Sequence, residues 1–127
     1  MTTTLVRFDA DGSSYALPVE VVRGVRAAGT LRPLPNPRPG VAGTTSGDPC
    51  LTVITPLGCG GGHVLTVEQA GRQFGLLVDR VTGLCQVADD EFDPPPAGQL
   101  EPLLSATVRR AEALIFVADA AALAGRL

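Results

Sequence analysis

Short runs of alternating apolar and polar residues, each closed by a turn signal, organise the chain. Leu5-Val6-Arg7-Phe8-Asp9 reads as a strand, Asp11-Gly12 as a tight turn, and Tyr15-Ala16-Leu17-Pro18-Val19 as the returning strand. Glu20 to Arg26 places Val21, Val22 and Val25 on one helical face; this predicts one or two helical turns, kept short by Gly24. Leu31 to Gly43 holds four prolines, which excludes a long helix or a central strand and predicts a short edge strand followed by an extended surface segment. Cys50 to Thr55 reads as a buried strand. His63 to Gly71 and Arg72 to Val81 form a hairpin pair joined near Ala70-Gly71, with Phe74, Leu76, Val78 and Arg80 alternating against Leu77, Asp79 and Val81. Gly83 to Ala88 is another strand, and Asp89 to Pro102, acidic and proline-rich, a connecting loop. Thr107 to Arg110 and Leu114 to Ala118 close the pattern as a hairpin, after which Asp119 caps a short helix over Ala120 to Leu127.

Many short strands separated by turn signals predict an all-β barrel or sandwich with little helix. The chain has 127 residues, the size of one ordinary domain, so a single domain over residues 1–127 is expected. Its ten basic residues are all arginine, scattered along a chain of net charge −3, and this argues against a nucleic-acid partner. No apolar run is long enough to span a bilayer, and the first residues lack the basic and apolar regions of a signal peptide, so no membrane insertion is expected. Cys50, Cys59 and Cys85 are an odd set without CxxC spacing, which fits reduced thiols in a cytoplasm.

The richest-looking stretch is "PLGCGGGHVL", Pro56 to Leu65, with four glycines, Cys59 and the single histidine, His63. A phosphate-binding P-loop needs a lysine, and the chain has none. A dinucleotide fingerprint needs a following helix, whereas Val64-Leu65-Thr66-Val67 reads as strand. Cys59 and His63 supply half of a zinc site and a poorly positioned catalytic pair. The stretch therefore reads as a flexible connection between strands. Cys85 reads as a small buried hydrophobe, Asp89-Asp90-Glu91 as a solvated charge run, and Phe8, Tyr15, Phe74, Phe92 and Phe116 as core aromatics. No constellation of catalytic, metal-binding or cofactor-binding residues emerges.

"FGLLVDRVTGLCQV", Phe74 to Val87, resembles the signature of CheW-like domains, with Gly75, Val78, Asp79, Val81 and Gly83 in register. "LVRFDADGSSYALPVEVVRGVR" is similar to the family's first hairpin and short helix, "LPNPRPGVAG" to its proline-rich approach to a glycine at Gly43, and "VRRAEALIFVADAAAL" to its closing hairpin, with Asp119 before the last helix. The resemblance spans nearly the whole chain. It implies a mainly β fold of two small, intertwined five-stranded (SH3-like) β-barrels around a shared core, with short helices after the second strand and at the C-terminus. It also implies a cytoplasmic, non-catalytic adaptor without a cofactor. Its partners would be the regulatory domain of a CheA-type histidine kinase and the cytoplasmic tip of a chemoreceptor, with assembly into an array or ring.

The family's partner-contacting positions, carried onto this chain, fall at Val41, Gly43, Thr45, Ser46 and Asp48, with Asp79 and Arg80 further on. Asp79 also fits a structural hydrogen bond in its turn. The family carries an arginine in the turn after the glycine; here "GTTSGDP" puts Asp48 or Ser46 in its place. An acidic or neutral group there changes the charge a partner must present. This departure motivates a second reading, a divergent CheW-like module binding a kinase or response regulator outside chemotaxis. A third, from another class, is a metal- or thiol-dependent enzyme using Cys59 and His63.

Overall fold

The computed structural model describes residues 2–29, 31–33, 40–45, 50–55, 61–95, 103–111, 113–125 and 127. Among the described residues eleven strands run in the order β1 (Thr2–Ala10), β2 (Ser13–Pro18), β3 (Val22–Ala27), β4 (Val41–Thr44), β5 (Thr52–Ile54), β6 (His63–Gln69), β7 (Arg72–Val78), β8 (Arg80–Ala88), β9 (Phe92–Asp93), β10 (Leu104–Arg109) and β11 (Leu114–Ala118), followed by helix α1 (Ala120–Ala124). They form two mixed sheets: sheet A, in the order β8-β1-β2-β11-β10-β9, and sheet B, in the order β3-β6-β7-β5-β4. The parallel contacts are β2 with β11 and β5 with β7.

Each sheet is made to curl by its own chain connections. In sheet A the two edge strands, β8 and β9, are joined by a single 3-10 turn, Asp89–Glu91. A six-stranded sheet whose opposite edge strands are joined by three residues must curl until those strands approach each other at that end, although they do not pair. In sheet B the chain leaves edge strand β3 at Ala27 and is bonded at Arg32 to Thr44 of β4, the opposite edge, with both backbone bonds at 2.8 Å. The result is two small barrels.

Each barrel has an interior of its own, and a third core joins them. Leu5, Ala16, Val87, Val108, Ile115 and Val117 fill barrel A. Val53, Val64 and Leu77 fill barrel B. The largest cluster lies between the sheets, and Phe8, Leu17, Phe74, Leu76 and Val78 are among its members. The alternation of β7 explains this division: Phe74, Leu76 and Val78 face the shared core, while Gly75 and Leu77 face the interior of barrel B. Val78 is fully buried. Val78→Ala is expected to cost about 1–3 kcal/mol, read as a lower denaturation midpoint. An unchanged midpoint would contradict this placement of β7.

Several sequence expectations are corrected in detail. Sheet A has six strands rather than five, because Phe92-Asp93, expected within a loop, pairs with Val108 and Thr107. The helix expected over Glu20–Arg26 is only a three-residue 3-10 turn, Val19–Val21, after which the chain runs straight into β3. Its valines and Gly24 are weak helix formers, and pairing with β6 decides the outcome. Arg80 begins β8 rather than ending β7. The strand expected over Cys50–Thr55 is limited to Thr52–Ile54, the edge strand expected from Leu31 is a single bridge at Arg32, and β10 begins three residues earlier than expected, at Leu104. Cys85 is half-buried at the margin of the barrel A core rather than inside it.

The C-terminal helix is shorter than expected, ending at Ala124, but its start is where the sequence put it. Asp119 Oδ1 accepts from the backbone N–H of Ala121 at 3.0 Å and of Ala122 at 3.3 Å. Ala120, Leu123 and Ala124 then pack into the shared core. Asp119→Ala should destabilise the protein by about 1 kcal/mol, with Asp119→Asn restoring most of the loss in a thermal melt. Equal melting of both variants and wild type would show the cap to be energetically idle.

Candidate functional site

Asp79 stands at the corner where the chain passes from sheet B into sheet A. Its backbone N–H donates to the Asp9 carbonyl at 2.8 Å, and its Oδ2 accepts from the backbone N–H of Asp11 at 3.0 Å. The His63 ring donates from Nδ1 to the Asp79 carbonyl, 3.0 Å away. One residue thus ties the β1–β2 turn, the start of β6 and the end of β7 together. Arg80 follows, donating from Nε to Asp9 Oδ2 at 3.0 Å, and Ser14 Oγ donates to Asp9 Oδ1 at 3.3 Å. Asp9, Gly12, Ser14, Asp79 and Arg80 line an open cleft of about 500 Å³. Asp79 is therefore occupied internally, while the Arg80 side chain is 71% exposed and faces solvent.

The other expected contact residues lie elsewhere. Thr45 is buried, and its Oγ1 accepts from the backbone N–H of Leu51 at 2.9 Å. Its backbone N–H donates to the Leu51 carbonyl, also at 2.9 Å. This clasp closes the segment that contains Ser46 and Asp48, which lie outside the described residues. Val41 is half-buried against the shared core. Gly43 is buried at φ 144°, and a Cβ on it would stand 2.4 Å from the Arg32 carbonyl oxygen. Its role is therefore the closure of barrel B. By the parallel register that pairs Val53 with Gly75, the Thr45–Leu51 clasp lies level with Gln73. Asp79 is six residues further along β7 and its continuation, about 20 Å away. Thr45 and Asp79 thus stand toward opposite ends of sheet B.

Exposed apolar side chains on unpaired strand edges were missed in the sequence. Leu84 on β8 is 69% exposed and Val25 on β3 is 50% exposed. Leu84 sits opposite Val6, and Val25 opposite Leu65, both members of the shared core. Both side chains therefore lie on the inner face of their sheet, at the rim where that face opens to solvent. In sequence, Leu84 falls in an expected strand and Val25 on the face of an expected short helix; only the sheet order reveals that both lie on edge strands.

Barrel A is fastened by Arg110, just beyond β10. Its Nη2 donates to the Gln86 carbonyl at 2.8 Å and to Cys85 Sγ at 3.4 Å, and its Nη1 pairs with Glu91. Glu91 Oε1 also accepts from the Ala88 N–H at 2.9 Å. That backbone bond, and then the Arg110 guanidinium, hold the Glu91 carboxyl below its ordinary pKa. Glu91 thus forms a clasp, while the acidic run Asp89–Glu91 as a whole is a 3-10 turn exposed to solvent, as expected.

His63 spends Nδ1 on the Asp79 carbonyl, and Cys59 lies outside the described residues. Among the described residues no three His, Cys, Asp or Glu side chains are grouped to hold a metal ion. Nor is any helix among them long and apolar enough to cross a membrane. The glycine-rich stretch keeps one defined role. Gly61, at φ 143°, brings β6 so close to β7 that a Cβ would lie 2.4 Å from the Val78 carbonyl oxygen.

Two small barrels sharing a core, with apolar side chains at their open edges, define a double β-barrel domain. The chain belongs to the CheW-like domain family, whose match covers residues 60–127, more than half of it. Its fold is similar to that of the scaffolding protein TtCheW from Thermoanaerobacter tengcongensis, with a TM-score of 0.83, 18% identity, and coverage of 94% of this chain and 90% of that one. No curated protein matches the chain.

Proposed function

We propose that this chain acts as one CheW-like domain over residues 1–127 and serves as a non-catalytic adaptor coupling a chemoreceptor tip to the regulatory domain of a CheA-type histidine kinase. The observation that carries this reading is the pair of open edges, β8 with Leu84 and β3 with Val25, on a fold of the scaffold family. An adaptor needs separate docking surfaces held rigidly apart. Unpaired strand edges bearing an apolar anchor are suited to that task. Arg80, exposed beside the Asp9 cleft, adds a polar contact. Its place of work is the cytoplasm, at receptor arrays, including ring-like ones.

Size-exclusion chromatography with the kinase regulatory domain and the receptor tip tests this. Wild type should co-elute with both, and Leu84→Glu should lose at least one partner while melting like wild type. Folded wild type that binds neither partner would refute the reading.

The sequence "GTTSGDP", without the family's arginine, favours a second reading. There the same scaffold serves a kinase or response regulator outside chemotaxis. It is distinguished by binding to a kinase without restoring chemotaxis in a strain lacking its adaptor.

A further inference from the structure

The electrostatics of barrel B specify the chemistry of one partner. Residues 19–78, which supply barrel B, contain five arginines and three carboxylates, a net of +2. The rest of the chain contains five arginines and ten carboxylates, a net of −5, which together give the overall −3. An acidic protein thus carries a basic barrel.

The positive charge is presented along β3. Arg23, Val25 and Arg26 are all exposed on this edge strand. Arg23 donates to Glu68 at 3.2 Å, and Glu68 is also held by Gln73 at 2.9 Å, so that carboxylate is engaged; the other acidic side chain beside β3, Glu20, is exposed in the turn before it. Arg26 has no ion pair among the described residues. The register irregularity of β3 is confined to Val22–Gly24; from Gly24 to Ala27 the pairing with β6 is regular. That regular stretch offers alternate outward-facing backbone N–H and C=O groups to an added strand.

We infer that β3 accepts an extended acidic segment of a partner protein, added as a sixth strand to sheet B, with Val25 as its apolar contact and Arg26 as its charge selector. The inference rests on the adaptor reading and narrows it to a partner of one charge. The same two arginines oppose pairing of β3 with β3 of a second copy, since like charges would then face each other across the new ladder. Glu68 shows the accommodation in miniature, because the cluster already holds one carboxylate against Arg23.

The test uses the full chain and two fluorescent eight-residue peptides, one alternating Glu with Val and the other alternating Lys with Val. The acidic peptide should bind, with amide shift changes in NMR spectra centred on β3, and the basic peptide should not. Arg26→Glu, a substitution of an exposed side chain, should keep the melting temperature and weaken acidic-peptide binding about tenfold or more. Raising the salt to about 0.5 M should weaken binding of wild type far more than of Arg26→Glu. Equal binding of both peptides, no binding of the acidic one, or indifference to Arg26→Glu would overturn the inference. So would concentration-dependent self-association of the chain that Arg26→Glu abolishes, because the acidic segment would then belong to a second copy. If the kinase domain co-elutes with the chain while the acidic peptide fails, the adaptor reading stands and only the strand-addition inference falls.

Discussion

Gly43→Ala is expected to lower stability by about 3 kcal/mol or more, a fall of roughly 10 °C in melting temperature for a domain of this size. Two effects add. At φ 144° any side chain is strained, which alone accounts for about 1–3 kcal/mol. In addition, the new Cβ would sit 2.4 Å from the carbonyl oxygen of Arg32, a backbone atom that cannot swing aside. Relief requires moving Arg32 away from Thr44 and giving up the bonds that close barrel B. Gly83 provides the control. Its φ is 145°, and a Cβ there meets nothing within 4 Å. Gly83→Ala therefore carries the backbone strain without the collision. Differential scanning calorimetry on both variants separates the two terms. Equal losses would mean that barrel closure does not depend on the close approach at Gly43.

Phe74→Ala should be comparably severe, at about 3–5 kcal/mol. Phe74 is fully buried and lies on β7, inside sheet B, with its ring in the core shared by both barrels. Removing it leaves a cavity between two sheets that are each fixed by their own ladders and closing connections, so neither can collapse into the space. Leu84→Ala makes the useful comparison: the residue is as apolar but 69% exposed, and its loss should fall within about 0.5 kcal/mol of zero. Urea denaturation of the two variants, with equal m-values, would give this contrast directly. A mild Phe74→Ala would mean that the two barrels are not joined through this core.

The residues whose role is local were legible in the sequence. Asp11-Gly12 and Ala70-Gly71 mark two hairpin turns, and the structure places positive φ at all four residues. Asp119 announces its helix by residue type alone. The alternation of Phe74, Leu76 and Val78 against Leu77 gave the two faces of β7 before any sheet order was known. What escaped depends on partners distant in sequence. Gly43 reads as a family position, yet its necessity comes from Arg32 passing behind it. Gly75 looks like a gap in a strand, yet its missing side chain leaves room for the methyls of Val64 and Val53 inside a narrow barrel. Thr45 was expected at a contact surface, and its hydroxyl instead holds Leu51. Leu84 lay in an expected strand, but alternation reports a side chain's face and says nothing about whether its strand is central or an edge; Val25 was placed on a helical face, and only pairing of β3 with β6 puts it on an edge strand. Arg110 gave no signal at all, since its three acceptors come from β8 and the turn after it.

The proposed adaptor bridges a receptor and a kinase through separate surfaces. Sedimentation measures bridging directly. Vesicles displaying the receptor tip are mixed with the kinase regulatory domain, with and without this chain, and the pelleted kinase is quantified. Kinase is expected in the pellet only when the chain is present, rising with its concentration and falling again once the chain is in excess. Kinase that pellets equally without the chain, or that stays in the supernatant at every concentration of folded chain, would contradict it.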